Sequence, residues 1–237
     1  MAELLLDIGN TRAKAVIHRF GDLTAFDLGE TLPTDISAVY FASVASTDRV
    51  ETLRKELKLG DSPWHQVCSE AKRNQLHNSY AQPQLMGVDR WLAMLGAQQL
   101  HQNQALIVVD AGTALTLDVV DSVGMHQGGW ILPGLRLQQQ AVTSHTAKVF
   151  NRDEQRPELG FGKDTASCLQ NGALAAVVAA IRYGVSLVPQ GKLVLTGGDA
   201  PALLRYLEDL NVDFQPLLVF HGLSQFIAKK TDTLASN

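Results

Sequence analysis

Residues 3–20 read ELLLDIGNTRAKAVIHRF, and residues 104–121 read QALIVVDAGTALTLDVVD. In both, an apolar run ends in an aspartate, passes through glycine and small polar residues, and resumes as a second apolar run. Short apolar runs separated by glycine-containing turns predict strands. Each stretch therefore predicts a hairpin with an aspartate, Asp7 or Asp110, at the tip of its first strand. Residues 4–11 align with residues 107–113 apart from one residue, which marks a weak internal duplication.

Working outward, the pattern predicts strands at 4–8, 13–18, 23–28 and 38–44, and an amphipathic helix at 49–59. Residues 60–86 read as irregular, and helical spacing begins at Asp89. After the second hairpin come a strand at 126–134, helices at 135–147 and 164–183, a strand at 192–198, and helices at 201–208 and near 219–230. Two such halves imply an α/β protein of two domains, 1–104 and 105–237, facing each other across a cleft. The boundary falls where HQNQ (101–104) breaks the helical pattern.

The composition suits a globular chain: 237 residues, 46% hydrophobic and 19% charged. A formal charge of −4 without any basic run argues against nucleic acid or an anionic membrane as partner. Cys68 and Cys168 form no ligand cluster, and two thiols in a chain of this size suggest a reduced, cytoplasmic protein. The N-terminus lacks the pattern of a secretory leader. The apolar stretch 172–181 is too short to span a bilayer.

One aspartate-glycine turn can be pure structure, because these residues favour turns. Two copies, one per half, would face one cleft from opposite sides. Glycine lets backbone amides approach phosphate oxygens closely, and turn amides form an anion-binding concavity. The carboxylates themselves repel phosphate unless a cation lies between. Lys14 is either a counter-charge to phosphate or a solvated surface lysine. The stretch GFGKDT (160–165) is no P-loop, since the earlier glycine is absent and Asp164 stands where Ser or Thr belongs.

GVDRW (87–91) opens a helix with Asp89 and Arg90. The plain reading is an N-cap aspartate and a solvent-facing arginine. The functional reading makes Asp89 a general base toward an alcohol, with Arg90 holding an anionic substrate group.

These motifs, in this order, resemble those of the type III pantothenate kinases, a branch of the sugar kinase, actin and chaperone ATPase superfamily. Asp7-Ile8-Gly9-Asn10-Thr11 resembles the first phosphate motif, Gly87-Val88-Asp89-Arg90 the substrate motif, and residues 110–116 the second phosphate motif. GGWILPG (128–134) and Thr196-Gly197-Gly198 resemble the family's GGxIxPG and adenosine motifs. The resemblance implies two duplicated ribonuclease H-like, actin-like ATPase domains and ATP-dependent phosphorylation of pantothenate, the first step toward coenzyme A. It implies Asp89 as proton acceptor, and substrate contacts from Tyr80, Gly87, Val88, Asp89 and Arg90. It places ATP against Asp7, Ile8, Gly9, Asn10, Thr11, Arg12, Ala13, Lys14 and Thr113. Mg²⁺ would accompany ATP, and Asp110 would bind a monovalent cation, potassium or ammonium. Thr165 corresponds to a threonine that reaches the neighbouring subunit's substrate, which implies a homodimer with composite sites.

Two other readings stand beside it: a kinase or phosphohydrolase for a different substrate on the same scaffold, and an ATP-binding regulator or scaffold without turnover. A DNA-binding regulator should carry a helix-turn-helix or a basic extension, which this sequence does not show. His77, His101, His126, His145 and His221 form no recognisable ligand set and read as structural or surface residues, and Trp91 and Trp130 read as packing.

Overall fold

A computed structural model describes residues 1–9, 12–146, 149 and 157–227. The first half contains β1 (Ala2–Ile8), β2 (Ala13–Arg19), β3 (Asp22–Phe26), β4 (Ile36–Ser43), α1 (Thr47–Leu57), β5 (Trp64–Gln66), β6 (Lys72–Arg73), β7 (Leu76–His77) and α2 (Val88–Leu100). The second contains β8 (Leu106–Ala111), β9 (Ala114–Val120), β10 (His126–Pro133), α3 (Leu135–His145), α4 (Thr165–Leu187), β11 (Lys192–Thr196), α5 (Ala200–Leu204), β12 (Val212–Phe214) and α6 (Leu218–Ser224).

Two five-stranded sheets repeat one topology. Their orders are β3-β2-β1-β4-β5 and β10-β9-β8-β11-β12. In each, the first strand pairs antiparallel with the hairpin strand after it and parallel with the fourth. The duplication legible in the two hairpins thus extends to whole sheets. The segment 60–86 is less irregular than its polar composition suggests. It holds β5, which extends the first sheet in parallel with β4, and the two-residue strands of a β6–β7 hairpin. These pieces, like β12, are too short for a period to show. The helix expected at 164–183 runs on to Leu187, and the one expected at 201–208 shortens to Ala200–Leu204. The end of the expected 135–147 helix and the residues beyond 227 of the last helix lie outside the described residues.

Strand period explains the layering. Side chains alternate between the faces of a strand, and β1 and β8 are apolar on both. Leu4, Leu6 and Ile8 pack with Val39 and Phe41 beneath α1, whereas Leu5 faces the opposite way, into a cluster with Trp91, Leu92 and Leu95 of α2. Likewise Ile107 and Val109 face α4, while Leu106 and Val108 join the α2 cluster. Helices α2 and α6 therefore form a central layer between the two sheets. By the same alternation Asp7 shares the face of Leu5, and Asp110 that of Val108. Both aspartates point toward the layer that carries α2.

α6 follows the second sheet in sequence but packs on α2, with its residues in one cluster with Leu5, Tyr40 and Ala42 of the first sheet. The two helices meet through glycine. A Cβ on Gly96 would collide with the Leu218 carbonyl, and one on Gly222 with the Leu92 carbonyl and Cα. α4 is longer than the ten-residue apolar stretch suggested. By length and composition its 23 residues would suit a bilayer. Its inner face, Leu174, Val177, Val178 and Ile181, instead covers Ile107, Val109 and Leu117 of the second sheet.

Because a methyl at Gly222 meets backbone that cannot rotate away, Gly222→Ala should cost about 1–3 kcal/mol in urea unfolding. An unchanged midpoint would mean that α2 and α6 separate without penalty.

Candidate active site

The hairpin turns are built alike. Gly9 N–H donates to the Arg12 carbonyl at 3.1 Å, and Gly112 N–H donates to the Ala114 carbonyl at 3.0 Å. Thr113 is exposed at the tip of the second turn, where its carbonyl accepts from Gly134 N–H at 2.9 Å. Asn10 and Thr11 lie outside the described residues. Lys14 stands directly opposite Asp7 in the β1–β2 register, and Thr116 holds the corresponding place opposite Asp110. Thr196, at the end of β11, pairs with Asp110 from the other side. The next residue, Gly197, has φ +101° and packs against the Ala111 carbonyl and the Asp110 carboxylate, where a Cβ does not fit.

Asp7, Asp110 and Asp89 converge closely enough to feel one another's charge. Burial pushes the Asp7 carboxyl up to about 6 from an ordinary 3.8; Lys14 pulls it back, and Asp89 adds to the rise. Asp110 is pushed up to about 6 by burial against the pull of Lys14, with Asp89, Asp7 and Asp199 adding repulsion. One ammonium thus serves several carboxylates, which leaves the cleft short of positive charge. Among the described residues, no three acidic, His or Cys side chains approach closely enough to hold a metal by themselves. A cation here needs further oxygens, which a nucleotide's phosphates or backbone carbonyls can supply.

Gly87, not Asp89, occupies the N-cap of α2. Asp89 sits in the first turn, partly buried, with Oδ1 accepting the Arg90 backbone N–H at 2.8 Å. That bond engages Oδ1 and leaves Oδ2.

Arg90 is not the solvent-facing residue of the plain reading; its side chain is 5% exposed. Its Nε donates to Asp118 Oδ2 at 2.9 Å, its Nη2 to Asp118 Oδ1 at 2.5 Å and its Nη1 to the Tyr80 hydroxyl at 3.0 Å. Burial opposes its charge, but the Asp118 pair and the Tyr80 bond outweigh it and hold the guanidinium firmly protonated. Asp118 is likewise held ionised, since bonds from His126 and Arg90 outweigh its burial. Asp118 and His126 were not among the candidates read from sequence.

Arg12 is exposed at the start of β2 and reaches the second half, where a Cβ on Gly198 would crowd its Nη2. Its charge, with that of Arg136, partly offsets the burial that raises Asp199. Thr165 opens α4, exposed, behind an Asp164 cap that accepts from Ser167 N–H at 3.0 Å. Ile8 and Val88 are buried and Ala13 partly so, which leaves their backbone as what a ligand can reach.

The sign of the Asp7 shift fixes a pH dependence. Its folded pKa lies above its unfolded value, so the folded state binds the extra proton between pH 4 and 6. The ionised carboxylate is a cost to folding that is present in full above pH 6 and relieved as pH falls toward 4. Without nucleotide, Asp7→Asn should therefore be more stable than the parent at pH 7.5 by up to about 3 kcal/mol, and the gain should vanish near pH 4. Equal gains at both pH values in urea unfolding would remove burial as its cause.

The sequence profile of the type III pantothenate kinase family matches residues 3–186. A protein of Colwellia psychrerythraea named type III pantothenate kinase is 34% identical, over 94% of this chain and 99% of its own. One of the same name from Pseudoalteromonas translucida is also 34% identical, over 94% of each chain. Among solved structures, a conserved putative Baf family transcriptional activator from Campylobacter jejuni superposes with a TM-score of 0.59 at 23% identity, covering 94% of this chain and 96% of its own. A putative 2-dehydro-3-deoxygalactonokinase from Sinorhizobium meliloti superposes with a TM-score of 0.54 at 11% identity, covering 94% and 97%. At such identities the structures show a shared fold alone. With its profile matched over most of its length and relatives of one name spanning nearly all of it, the chain belongs to the type III pantothenate kinase family.

Proposed function

We propose that this protein transfers the γ-phosphoryl group of ATP to the hydroxyl of pantothenate, giving 4'-phosphopantothenate, in the cytoplasm. The observation that carries the reading is the convergence of Asp7, Asp110 and Asp89 with Lys14 where the two hairpins meet the start of α2. Phosphoryl transfer asks a protein mainly for positioning and charge stabilisation. The turns at 7–14 and 110–113 present amides to the phosphates, and Lys14 counters their charge. Asp89 accepts the proton of the attacking hydroxyl through Oδ2. Tyr80, the Gly87–Val88 backbone and Arg90 hold pantothenate. Arg90 can do so only with the outer N–H of each terminal nitrogen, because its other three donors are engaged.

The buried, mutually repelling carboxylates fit a cation. Asp7 would hold the Mg²⁺ that accompanies ATP, and Asp110 a potassium or ammonium ion; each would supply positive charge against the phosphates. The likeness to a putative transcriptional activator bears on the fold alone, and a net charge of −4 does not favour a DNA partner.

A homodimer completes the reading. Cys168, Gly172, Ala176, Ala179, Tyr183 and Leu187 are exposed along α4 at near-helical spacing. The small side chains of Cys168, Gly172, Ala176 and Ala179 would allow close approach of a second copy, which would bring Thr165 to a neighbouring site.

Purified protein with ATP, Mg²⁺ and pantothenate should form phosphopantothenate, and only with potassium or ammonium present. Absence of product under all these conditions overturns the assignment. Asp89→Asn should lower kcat by about 10²–10⁴-fold while both substrates still bind; near-parental turnover excludes Asp89 as the base. Ala176→Arg should give a monomer in light scattering and lose turnover with it. A fully active monomer would confine the site to one chain.

A further inference from the structure

Behind Arg90 lies a polar cluster that the phosphoryl-transfer reading does not use. Asp118 projects from the centre of β9, and His126 begins β10. Their side chains are 2% and 0% exposed. The Asp118 carboxylate accepts two bonds from Arg90 and a third from His126 Nε2 at 3.0 Å. With its proton on Nε2, the neutral imidazole leaves Nδ1 to accept the Ser79 hydroxyl at 2.8 Å. The same ring stacks on Tyr80, with centroids 6.3 Å apart. Tyr80 and Arg90 are joined in turn by the bond from Arg90 Nη1 to the Tyr80 hydroxyl.

The backbone is shaped to admit this cluster. Gly129 lies opposite Asp118 in the β9–β10 register, and a Cβ there would collide with the Asp118 carboxylate and come within 2.9 Å of Arg90 Nη2. A glycine in mid-strand gives up packing and β propensity, and here it makes room for an ion pair. Buried ion pairs are weak sources of net stability, because desolvation offsets most of the attraction. Holding a fork and a phenol in one fixed orientation is the more specific service.

We infer that Asp118 and His126 are positioning residues for the acceptor substrate: His126 braces Tyr80 through its ring and Arg90 through Asp118, and so fixes both side chains beside Asp89. Among the described residues no hydrogen bond of the cluster reaches the hairpin turns assigned to ATP, so its loss should act on one substrate and not the other. The inference rests on the kinase reading above, and wild-type turnover of pantothenate tests that reading before any variant is made.

The experiment is steady-state kinetics of the full chain, with each substrate varied at saturating levels of the other. His126→Leu should raise the KM for pantothenate by about tenfold to a hundredfold, as expected when supporting groups shift a binding geometry by an ångström. The KM for ATP should stay within about twofold. His126→Gln, whose amide can still donate to Asp118, should recover most of the loss. In an Arg90→Ala background the same His126→Leu change should raise the pantothenate KM by less than it does in the parent, because one of the two residues it acts through is gone. Asp118→Asn should follow His126→Leu in direction, and if it fails to fold, the His126 pair decides alone. Equal rises in both KM values, an unchanged pantothenate KM, or full additivity with Arg90→Ala would each reduce the cluster to a structural support and overturn the inference. An inactive wild-type protein would instead sink the kinase reading itself.

Discussion

Two strands buried on both faces govern this molecule. β1 and β8 each bury one face under their own cover helix, α1 or α4, and give the other to the shared layer of α2 and α6. Once that layer is set, alternation leaves Asp7 and Asp110 no choice of direction. Each lies two residues beyond a side chain of the central cluster, where the apolar packing gives out. α2 starts at the same level, so Asp89 in its first turn meets both. The site is the edge of the hydrophobic core, at the point where strand tips and a helix start are compelled to coincide.

That origin explains its electrostatics. Carboxylates drawn to the margin of a core lose more to burial than Lys14 returns, and burial raises the two at the strand ends to about 6. The duplicated halves differ at one telling place. The residue opposite the aspartate in the hairpin is Lys14 in the first sheet and Thr116 in the second. The repeat thus supplies two carboxylates and one ammonium. A site of this kind is unfinished by itself, and a cation with its phosphate ligands is the chemistry that completes it.

Much of this was legible in sequence because it depends on short-range pattern. The hairpins, their aspartates and the central helix starting near Asp89 follow from periods of two and of 3.6 residues, and the whole-sheet duplication follows from two aligned turns. What escaped depends on partners distant in the chain. The return of α6 to α2 is set by facing glycines, Gly96 and Gly222, that nothing local connects. The pieces of β5, β6, β7 and β12 are two or three residues long, below the length at which a period can be counted. Arg90 read as exposed because its counter-ion lies 28 residues away on another strand. A signal did exist: Asp118 interrupts the apolar strand LTLDVV (115–120), and glycines follow His126 at 128 and 129. A lone acid in a buried strand requires a partner, yet sequence does not say which cation answers it.

The difference between legible and hidden parts also separates the two substrates. What would face the nucleotide comes from the repeat, from turns present in both halves and visible as such. What would face the acceptor comes from what the halves do not share: the 76–87 segment with the first turn of α2, and the Asp118–His126 cluster at the β9–β10 hairpin. A fold common to many chemistries is expected to keep its nucleotide machinery in the duplicated scaffold and to vary the acceptor site elsewhere. The Arg90–Asp118 pair lies at that junction. Arg90 belongs to the helix that carries Asp89, and Asp118 to the strand that returns from the Asp110 turn. A single buried ion pair therefore ties the residues that would choose the acceptor to the hairpin that would hold the phosphates.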